Sequence, residues 1–362
     1  MTSGAFSTFM IVQGILSIAS GRLSDRYGAR LVVSVSGILF GVGLLLLARL
    51  TAVWQFYVLY GLVLGAAFGG VPVPVMSAIA RQFGSRMGLM TGVVMAGTGA
   101  GTMIVPFTAN WLIGTYGWGR AYMVLGVVLT TVVLLAAQFL RPAETESRPP
   151  GEKTDVPAAS EKPTRPDSHD LALSDAIHTR QFWLLCIAFL AFGYAVQSVV
   201  VHLVVHARGL GFTSTSAASL MVIIGGLSIV GRLGLGSCSD RLGGQRLLVA
   251  IAVVLTASLI WLALATQSWA VIGFASLFGF VYGGITPLYS RTVMELFGLR
   301  AHGAIMGAVT FSLGIGCALG PLLTGYCFDV LGSYTLPFVI GGCIAGFGAL
   351  SVQLIRPLRE SR

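Results

Sequence analysis

The sequence predicts an all-α protein that crosses a lipid bilayer many times, and three observations support this fold class. Hydrophobic residues fill 55% of the 362 positions and charged residues only 10%, too little polar surface to cover a soluble globule of this size. Long apolar runs recur, and one bilayer-spanning helix needs about 20 such residues. The 48 glycines suit closely packed membrane helices, as in the GxxxG pairs Gly97/Gly101 and Gly316/Gly320.

The apolar runs between charged or turn-rich breaks predict eleven membrane-spanning helices. The runs cover residues 4–20, 31–50, 53–79, 88–113, 119–140, 181–205, 215–236, 246–266, 268–290, 303–326 and 334–356. Arginine and lysine concentrate on alternate connections, beginning with the segment 21–30. Because basic residues favour the cytoplasmic side, we expect a multi-pass protein of the cell membrane whose C-terminus is cytoplasmic.

Residues 141–178 contain proline, acidic residues, serine and lysine with almost no large apolar side chain, which is typical of a disordered linker. The orientation above makes this linker cytoplasmic. It separates an N-terminal helical bundle, residues 1–140 with five spans, from a C-terminal bundle, residues 179–362 with six spans. Eight of the 13 acidic residues lie in the linker. The others are Asp25, Asp240, Glu295, Asp329 and Glu360, all in predicted loops or ends.

An internal repeat relates the two halves. The segment GRLSDRYGAR at 21–30 recurs as GSCSDRLGGQR at 236–246, with an offset of 240 − 25 = 215 between the aspartates. A second pair, Phe83–Gly88 and Phe297–Gly303, gives 300 − 86 = 214 between its arginines. Two unrelated motifs with nearly one offset indicate a duplicated structural unit.

The same offset leaves the first half one helix short, because two helices precede Asp240 and one precedes Asp25. We therefore expect a twelve-helix protein whose first helix is missing from this sequence, through a mis-assigned start or a truncated gene. A true eleven-helix protein is the alternative.

The repeated motif carries a family resemblance. Gly21-x-Leu-x-Asp-Arg-x-Gly-x-Arg30 resembles the loop signature between the second and third helices of the major facilitator superfamily. The resemblance implies two pseudo-symmetric helical bundles that rock around a central cavity. It also implies a gating loop motif made of Gly21, Asp25, Arg26, Gly28, Arg30, Asp240 and Arg241. Physically, glycine permits a tight crossing and Asp25 can cap the following helix. A purely topological basic loop is the alternative for the arginines.

Two further segments resemble one group within this superfamily. The stretch from Phe83 to Gly101 is similar to the fifth-helix signature of monocarboxylate transporter-like and oxalate:formate antiporter-like proteins. The stretch Gly231-Arg232-Leu-Gly-Leu-Gly236 resembles the eighth helix of that group, in which an arginine binds the substrate carboxylate. Oxalate exchange itself is disfavoured, because the lysine that oxalate exchangers carry in the eleventh helix is absent from 303–325.

Arg232 is the leading candidate for substrate binding. It precedes Asp240 by eight residues, which is about 12 Å of helix, so it lies inside a predicted span. An arginine at that depth is costly unless it faces a wet cavity or a partner, and its planar fork of donors matches a carboxylate. The equivalent position in the first half is Ser17, so the duplicated loop motif does not account for an arginine at position 232. The alternative is a side chain that extends to the lipid headgroups.

Tyr282 and His202 are the other candidate substrate-binding residues. Tyr282 resembles a cavity tyrosine of the same group, and His202 could bind substrate or relay a proton. The alternatives are a tyrosine packed against lipid or helices and a polar residue at the membrane interface. Some relatives carry an acid where this chain has Ser228. Carboxylate-based proton coupling then has no candidate in the visible spans, unless the missing helix supplies one or His202 substitutes.

These observations predict a secondary active transporter of a small organic anion, with a monocarboxylate as the leading class, working by alternating access. Its partners are the small-molecule substrate, the lipid bilayer and a coupling proton if one is used. Scattered basic residues disfavour nucleic acid, and five unpaired cysteines disfavour a metal site. No cofactor is expected. Neither of the enzyme motifs HExxH and GxSxG occurs in the sequence, so it offers no support for an enzyme. The alternatives are a transporter of another solute and an inactive truncated transporter.

Overall fold

The computed structural model describes residues 2–83, 86–140 and 171–355. Eleven helices in these residues are long and apolar enough to cross a membrane, and no β-strand occurs among them. The prediction of an all-α protein with eleven visible spans is therefore confirmed. The helices are α1 Thr2–Tyr27, α2 Ala29–Leu47, α3 Val53–Phe83, α4 Met87–Tyr116, α5 Trp118–Gln138, α6 Arg180–Gly209, α7 Ser214–Leu242, α8 Gly244–Leu264, α9 Ser268–Phe297, α10 His302–Leu331 and α11 Thr335–Gln353.

The predicted linker is described only at its C-terminal end. Residues 141–170 lie outside the described residues, whereas 171–178 contain the one-turn helix Leu173–Ala176. The backbone N–H of Leu171 donates to the carbonyl oxygen of Phe297 at 3.1 Å. This end of the linker is therefore held against the end of α9.

The span α3 is less regular than the single helix that its apolar run predicts. Residues Tyr57–Leu64 form a π-helical stretch, and a turn at residues 70–71 precedes the helix Pro72–Phe83. Proline has no backbone N–H to donate, so it is tolerated in the first turn of a helix. The chain turn at residues 70–71 makes Pro72–Phe83 a separate helix at the end of α3. This helix lies against the second half of the chain.

The backbone repeats as the motif offset predicts. Gly28 and Gly243 each join two helices with φ of 87°, and they are 243 − 28 = 215 positions apart. Gly117 and Gly332 also have positive φ, 80° and 66°, and are 332 − 117 = 215 positions apart. Only glycine adopts this left-handed region readily. The two bundles therefore share their connections as well as their sequence motifs.

The two halves meet through the helix pairs α1 with α10 and α4 with α7. We call the end of the bundle that carries segments 21–30 and 236–246 the motif end, and the opposite end the far end. A Cβ on Gly303 would lie 2.8 Å from the Gly21 carbonyl oxygen, and one on Gly236 would lie 2.5 Å from that of Gly88. Both distances are too short for any side chain, so glycine lets the backbones of the two halves touch at the motif end.

The first half lacks a counterpart of α6 in the part of the chain that the structure describes. Gly316 of α10 packs on α6, where an added Cβ would lie 2.8 Å from the backbone nitrogen of Tyr194. Its repeat equivalent is Gly101, since 316 − 101 = 215, and no atom lies within 4 Å of a Cβ added there. The face of α4 at Gly101 is therefore not covered by a helix in the way that α6 covers α10. This agrees with the repeat offset, by which the first half has one helix fewer than the second.

Candidate functional site

Arg232 lies in α7 where helices of both halves come together. A Cβ on Gly92 of α4 would collide with the carbonyl oxygen of Arg232, and a Cβ on Gly231 would collide with that of Phe280 in α9. The residue is only 5% exposed. Its side chain therefore lies inside the bundle and does not extend to the surface.

The guanidinium group of Arg232 contacts two of the residues that the sequence singled out. Its Nη1 donates to the hydroxyl oxygen of Ser228 one turn earlier, and that hydroxyl donates to the Gly225 carbonyl oxygen at 2.7 Å. The guanidinium carbon lies 5.4 Å from the centroid of the Tyr282 ring, within the range of a cation–π contact. The structure thus brings Arg232, Ser228 and Tyr282 together.

Arg232 has no counter-ion within the described ranges. The ion pairs there join Arg81 to Asp25 and Arg291 to Asp240 and Glu295. The Nε atom of Arg232 is buried and has no hydrogen-bond acceptor. A buried guanidinium without an anion is costly, so this side chain is not explained by the contacts of the described residues alone.

Tyr282 is held in place by a stack of aromatic rings along α9. Its ring lies parallel to that of Phe278, with centroids 6.1 Å apart and planes at 5°. Phe278 in turn stacks on Phe274 at 5.4 Å. Because Phe278 and Phe274 are both fully buried, the stack fixes the face that Tyr282 presents to the arginine.

Asp25 caps a helix of the opposite half, which corrects the expectation that it caps the helix that follows it. Its carboxylate accepts the backbone N–H groups of Gly303 at 3.3 Å and Ala304 at 3.0 Å, in the first turn of α10. The start of α2 has Gly28 as its cap and no side-chain hydrogen bond there. Asp25 is still inside α1, so its side chain points across to α10.

Two residues of α3 hold Asp25 in this position. Arg81 Nη2 lies 2.5 Å from Asp25 Oδ1, and the Ser77 hydroxyl donates to the same oxygen at 3.3 Å. Neither residue is among the candidates that the sequence predicts. Ser77 and Arg81 are four positions apart on the helix that follows the turn at residues 70–71, so they share one face. That spacing is the feature of the sequence from which their common role could be predicted.

Asp240 repeats the arrangement in the other direction. It accepts the N–H groups of Gly88 at 2.8 Å and Leu89 at 3.0 Å, in the first turn of α4 in the first half. Arg291 Nη1 lies 3.6 Å from Asp240 Oδ1. The same arginine donates from Nε to Glu295 at 2.8 Å, so this cation is shared. We call the Asp25 and Asp240 contacts the two carboxylate caps.

The arginines of the motif do not bridge the two halves in the contacts that the structure describes. Arg26 lies 5.2 Å from the ring centroid of its neighbour Tyr27. Arg30 donates to Gln138 of α5, within the first half, and Arg241 is exposed. The aspartates and glycines of the motif therefore make the interface, and the topological interpretation of the arginines fits these positions.

His202 lies in a different group from Arg232. Its two ring nitrogens lie 3.2 Å from the Tyr334 hydroxyl and 2.9 Å from the Pro321 carbonyl oxygen. Burial, reinforced by the carboxylate of Asp329, raises the pKa of the Tyr334 phenol, so this hydroxyl stays neutral and can donate to the imidazole. His202 thus joins α6 to α10 and to the segment before α11.

Comparison with known proteins agrees with this architecture. The family model described as Major Facilitator Superfamily matches residues 1–312 and 235–362. Monocarboxylate transporter 13 of Rattus norvegicus is 29% identical over 343 residues, covering 94% of this chain and 76% of the relative. Monocarboxylate transporter 11 of Homo sapiens is 28% identical over 351 residues, covering 92% and 70%.

Solved structures share the fold at low sequence identity. The fucose:proton symporter of E. coli superposes with a TM-score of 0.74 at 14% identity, covering 96% of this chain and 89% of that one. The human organic anion transporter MFSD10 gives a TM-score of 0.72 at 13% identity, covering 97% and 83%. At such identity the likeness extends to the fold alone.

Proposed function

Because the chain belongs to the Major Facilitator Superfamily of membrane transporters, we propose that it is a secondary active transporter of a small organic anion. A monocarboxylate is the leading substrate class. The observation that carries this proposal is Arg232, a buried guanidinium whose Nε has no acceptor and which forms no ion pair among residues 2–83, 86–140 and 171–355.

A carboxylate suits this environment for two reasons. The planar guanidinium can donate two parallel hydrogen bonds to the two oxygens of one carboxylate. The ring of Tyr282 beside it offers an apolar wall for the rest of a small acid. The names of the matched relatives, monocarboxylate transporters 11, 12 and 13, support the same class.

Alternating access would use the two carboxylate caps as the gate at the motif end. Each cap joins an aspartate of one half to the first turn of a helix in the other, so parting the halves there breaks both. The caps support assigning this conformation to the state that is closed at the motif end. From the basic residues of its connections we place the motif end in the cytoplasm, with the protein in the cell membrane.

Proton coupling has little support in the described spans. Asp25, Asp240, Glu295 and Asp329 all lie within six residues of a helix end, and none contacts Arg232 in an ion pair. Both ring nitrogens of His202 already have partners. We therefore propose that the substrate's own charge neutralises Arg232, and His202 remains the residue to test for a coupling proton.

Transport by the purified protein in proteoliposomes tests this function. We expect saturable uptake of a labelled short monocarboxylate, such as lactate or butyrate, and no saturable uptake of the corresponding amide. The amide has nearly the same size and lacks the charge, so it is a matched control. Uptake of acid and amide at equal rates would contradict an anion site, and uptake of an unrelated solute without any carboxylate would favour the broader alternative.

A further inference from the structure

A buried tyrosine hydroxyl bridges the two halves between Arg232 and the motif end. Tyr289 of α9 is 4% exposed, and its hydroxyl lies 3.5 Å from Sδ of Met76, which belongs to α3 of the first half. The same hydroxyl lies 3.3 Å from the Thr310 hydroxyl oxygen in α10. The ring packs on Phe189, with centroids 4.7 Å apart.

This hydroxyl is weakly satisfied in the present conformation. The Thr310 hydroxyl lies 3.3 Å away, longer than the usual O–H···O distance of about 2.5 to 3.0 Å. A thioether sulfur is a poor acceptor, and a buried polar group normally has a good partner. Phenylalanine would fill the same space and make the same ring contact with Phe189 without burying a donor. The packing alone therefore does not account for a tyrosine here.

The position of Tyr289 relates it to the candidate substrate site. It follows Tyr282 by seven residues on α9, which is two helical turns, so both rings lie on one face about 10 Å apart along the helix. Tyr282 contacts Arg232, whereas Tyr289 lies nearer the motif end. Because its hydroxyl also contacts Met76 of the first half, Tyr289 lies at the boundary between the two halves, on the motif-end side of Tyr282.

We propose that Tyr289 and Thr310 form a second contact site for the substrate carboxylate, which Met76 covers in this conformation. This inference rests on the proposed function. When the halves part at the motif end, Met76 moves away with the first half, whereas Tyr289 and Thr310 both remain in the second. Two hydroxyl donors then face the path, and an ionised carboxylate, which only accepts hydrogen bonds, can take both.

The substitution Tyr289→Phe tests the site by its sidedness. In oriented proteoliposomes, we expect the half-saturation concentration for the monocarboxylate measured from the motif end to rise about 10- to 100-fold, as loss of a hydrogen bond to a charged group predicts. The value measured from the far end should stay within about 2-fold, because Arg232 is unchanged. Tyr194→Phe is the matched control, since its buried ring lies against Gly341 of α11.

Thr310→Val provides an independent variant on a second helix and should shift the same half-saturation concentration in the same direction. Equal changes from both ends, or no change in either variant, would overturn the inference. Wild-type protein that moves no carboxylate would instead refute the proposed function. Met76→Leu should leave the motif-end value unchanged, because Met76 covers the site only in the closed state.

Discussion

Replacing Asp25 and Asp240 by alanine should shift the unliganded protein toward a conformation that is open at the motif end. Each carboxylate accepts two backbone N–H groups from the first turn of a helix in the opposite half. These bonds exist only while the halves are together at that end. The substitutions therefore destabilise the closed conformation and leave the open one nearly unaffected.

The size of the shift follows from the cost of removing a helix cap. An aspartate cap stabilises a helix end by about 1 to 2 kcal/mol, which includes its attraction to the helix dipole. Because about 1.4 kcal/mol is a factor of ten, each variant should raise the open-to-closed ratio about 5- to 30-fold. The two caps lie on different helices, so the double variant should show roughly the product of the two factors.

Distance measurements between spin labels can detect this shift. Labels on Leu31 of α2 and Leu242 of α7 lie near the motif end in opposite halves, and both side chains are more than half exposed. The native cysteines must first be replaced; they are Cys186, Cys238, Cys317, Cys327 and Cys343. We expect a longer-distance population that grows from the single to the double variant.

The control is Asp329→Ala, which removes a carboxylate near the far end of α10 and should leave the motif-end distances unchanged. If the double variant keeps the wild-type distance distribution while melting at the wild-type temperature, the caps do not hold the halves together. That result would refute the reasoning about the gate.

Three further predictions concern single positions. Tyr282→Leu should raise the half-saturation concentration of a transported anion several-fold and Tyr282→Phe should not, because only an aromatic ring keeps the cation–π contact; uptake assays distinguish them. His202→Ala should lower the melting temperature in detergent by several degrees, since losing the bonds to Pro321 and Tyr334 costs about 1 to 3 kcal/mol; an unchanged melting curve would count against this. Gly303→Ala should slow transport and lengthen motif-end label distances, because its Cβ would lie 2.6 Å from the Asp25 carboxylate; wild-type rates would contradict the close packing.

The spans and the repeat could be predicted because they depend on local sequence. Hydrophobic length alone sets the number of helices. The offset of 215 between Asp25 and Asp240 reappears in the positive φ angles of Gly28 and Gly243. The apolar run does not predict the turn inside α3, because a hydropathy window averages over it, although Gly69-Gly70-Val71-Pro72 is a turn signal.

The site could be predicted only in part. Arg232 and Tyr282 are both candidates that the sequence predicts, and they are in contact. The sequence predicts a capping role for Asp25 but places it at the wrong helix, since its partners Gly303 and Ala304 follow it by 278 and 279 positions. No local pattern encodes a contact of that separation. The bridge from Tyr289 to Met76 depends in the same way on how the two halves pack.

The central claim is that Arg232 anchors the carboxylate of the substrate, and counterflow of a labelled monocarboxylate in proteoliposomes tests it most directly. Wild type should be compared with Arg232→Gln, Arg232→Lys and the control Arg208→Gln, which removes an exposed arginine at the far end. We predict that Arg232→Gln abolishes counterflow, that Arg232→Lys retains a small fraction, and that the control matches wild type. Counterflow at the wild-type rate in Arg232→Gln, with unchanged half-saturation, would contradict the account.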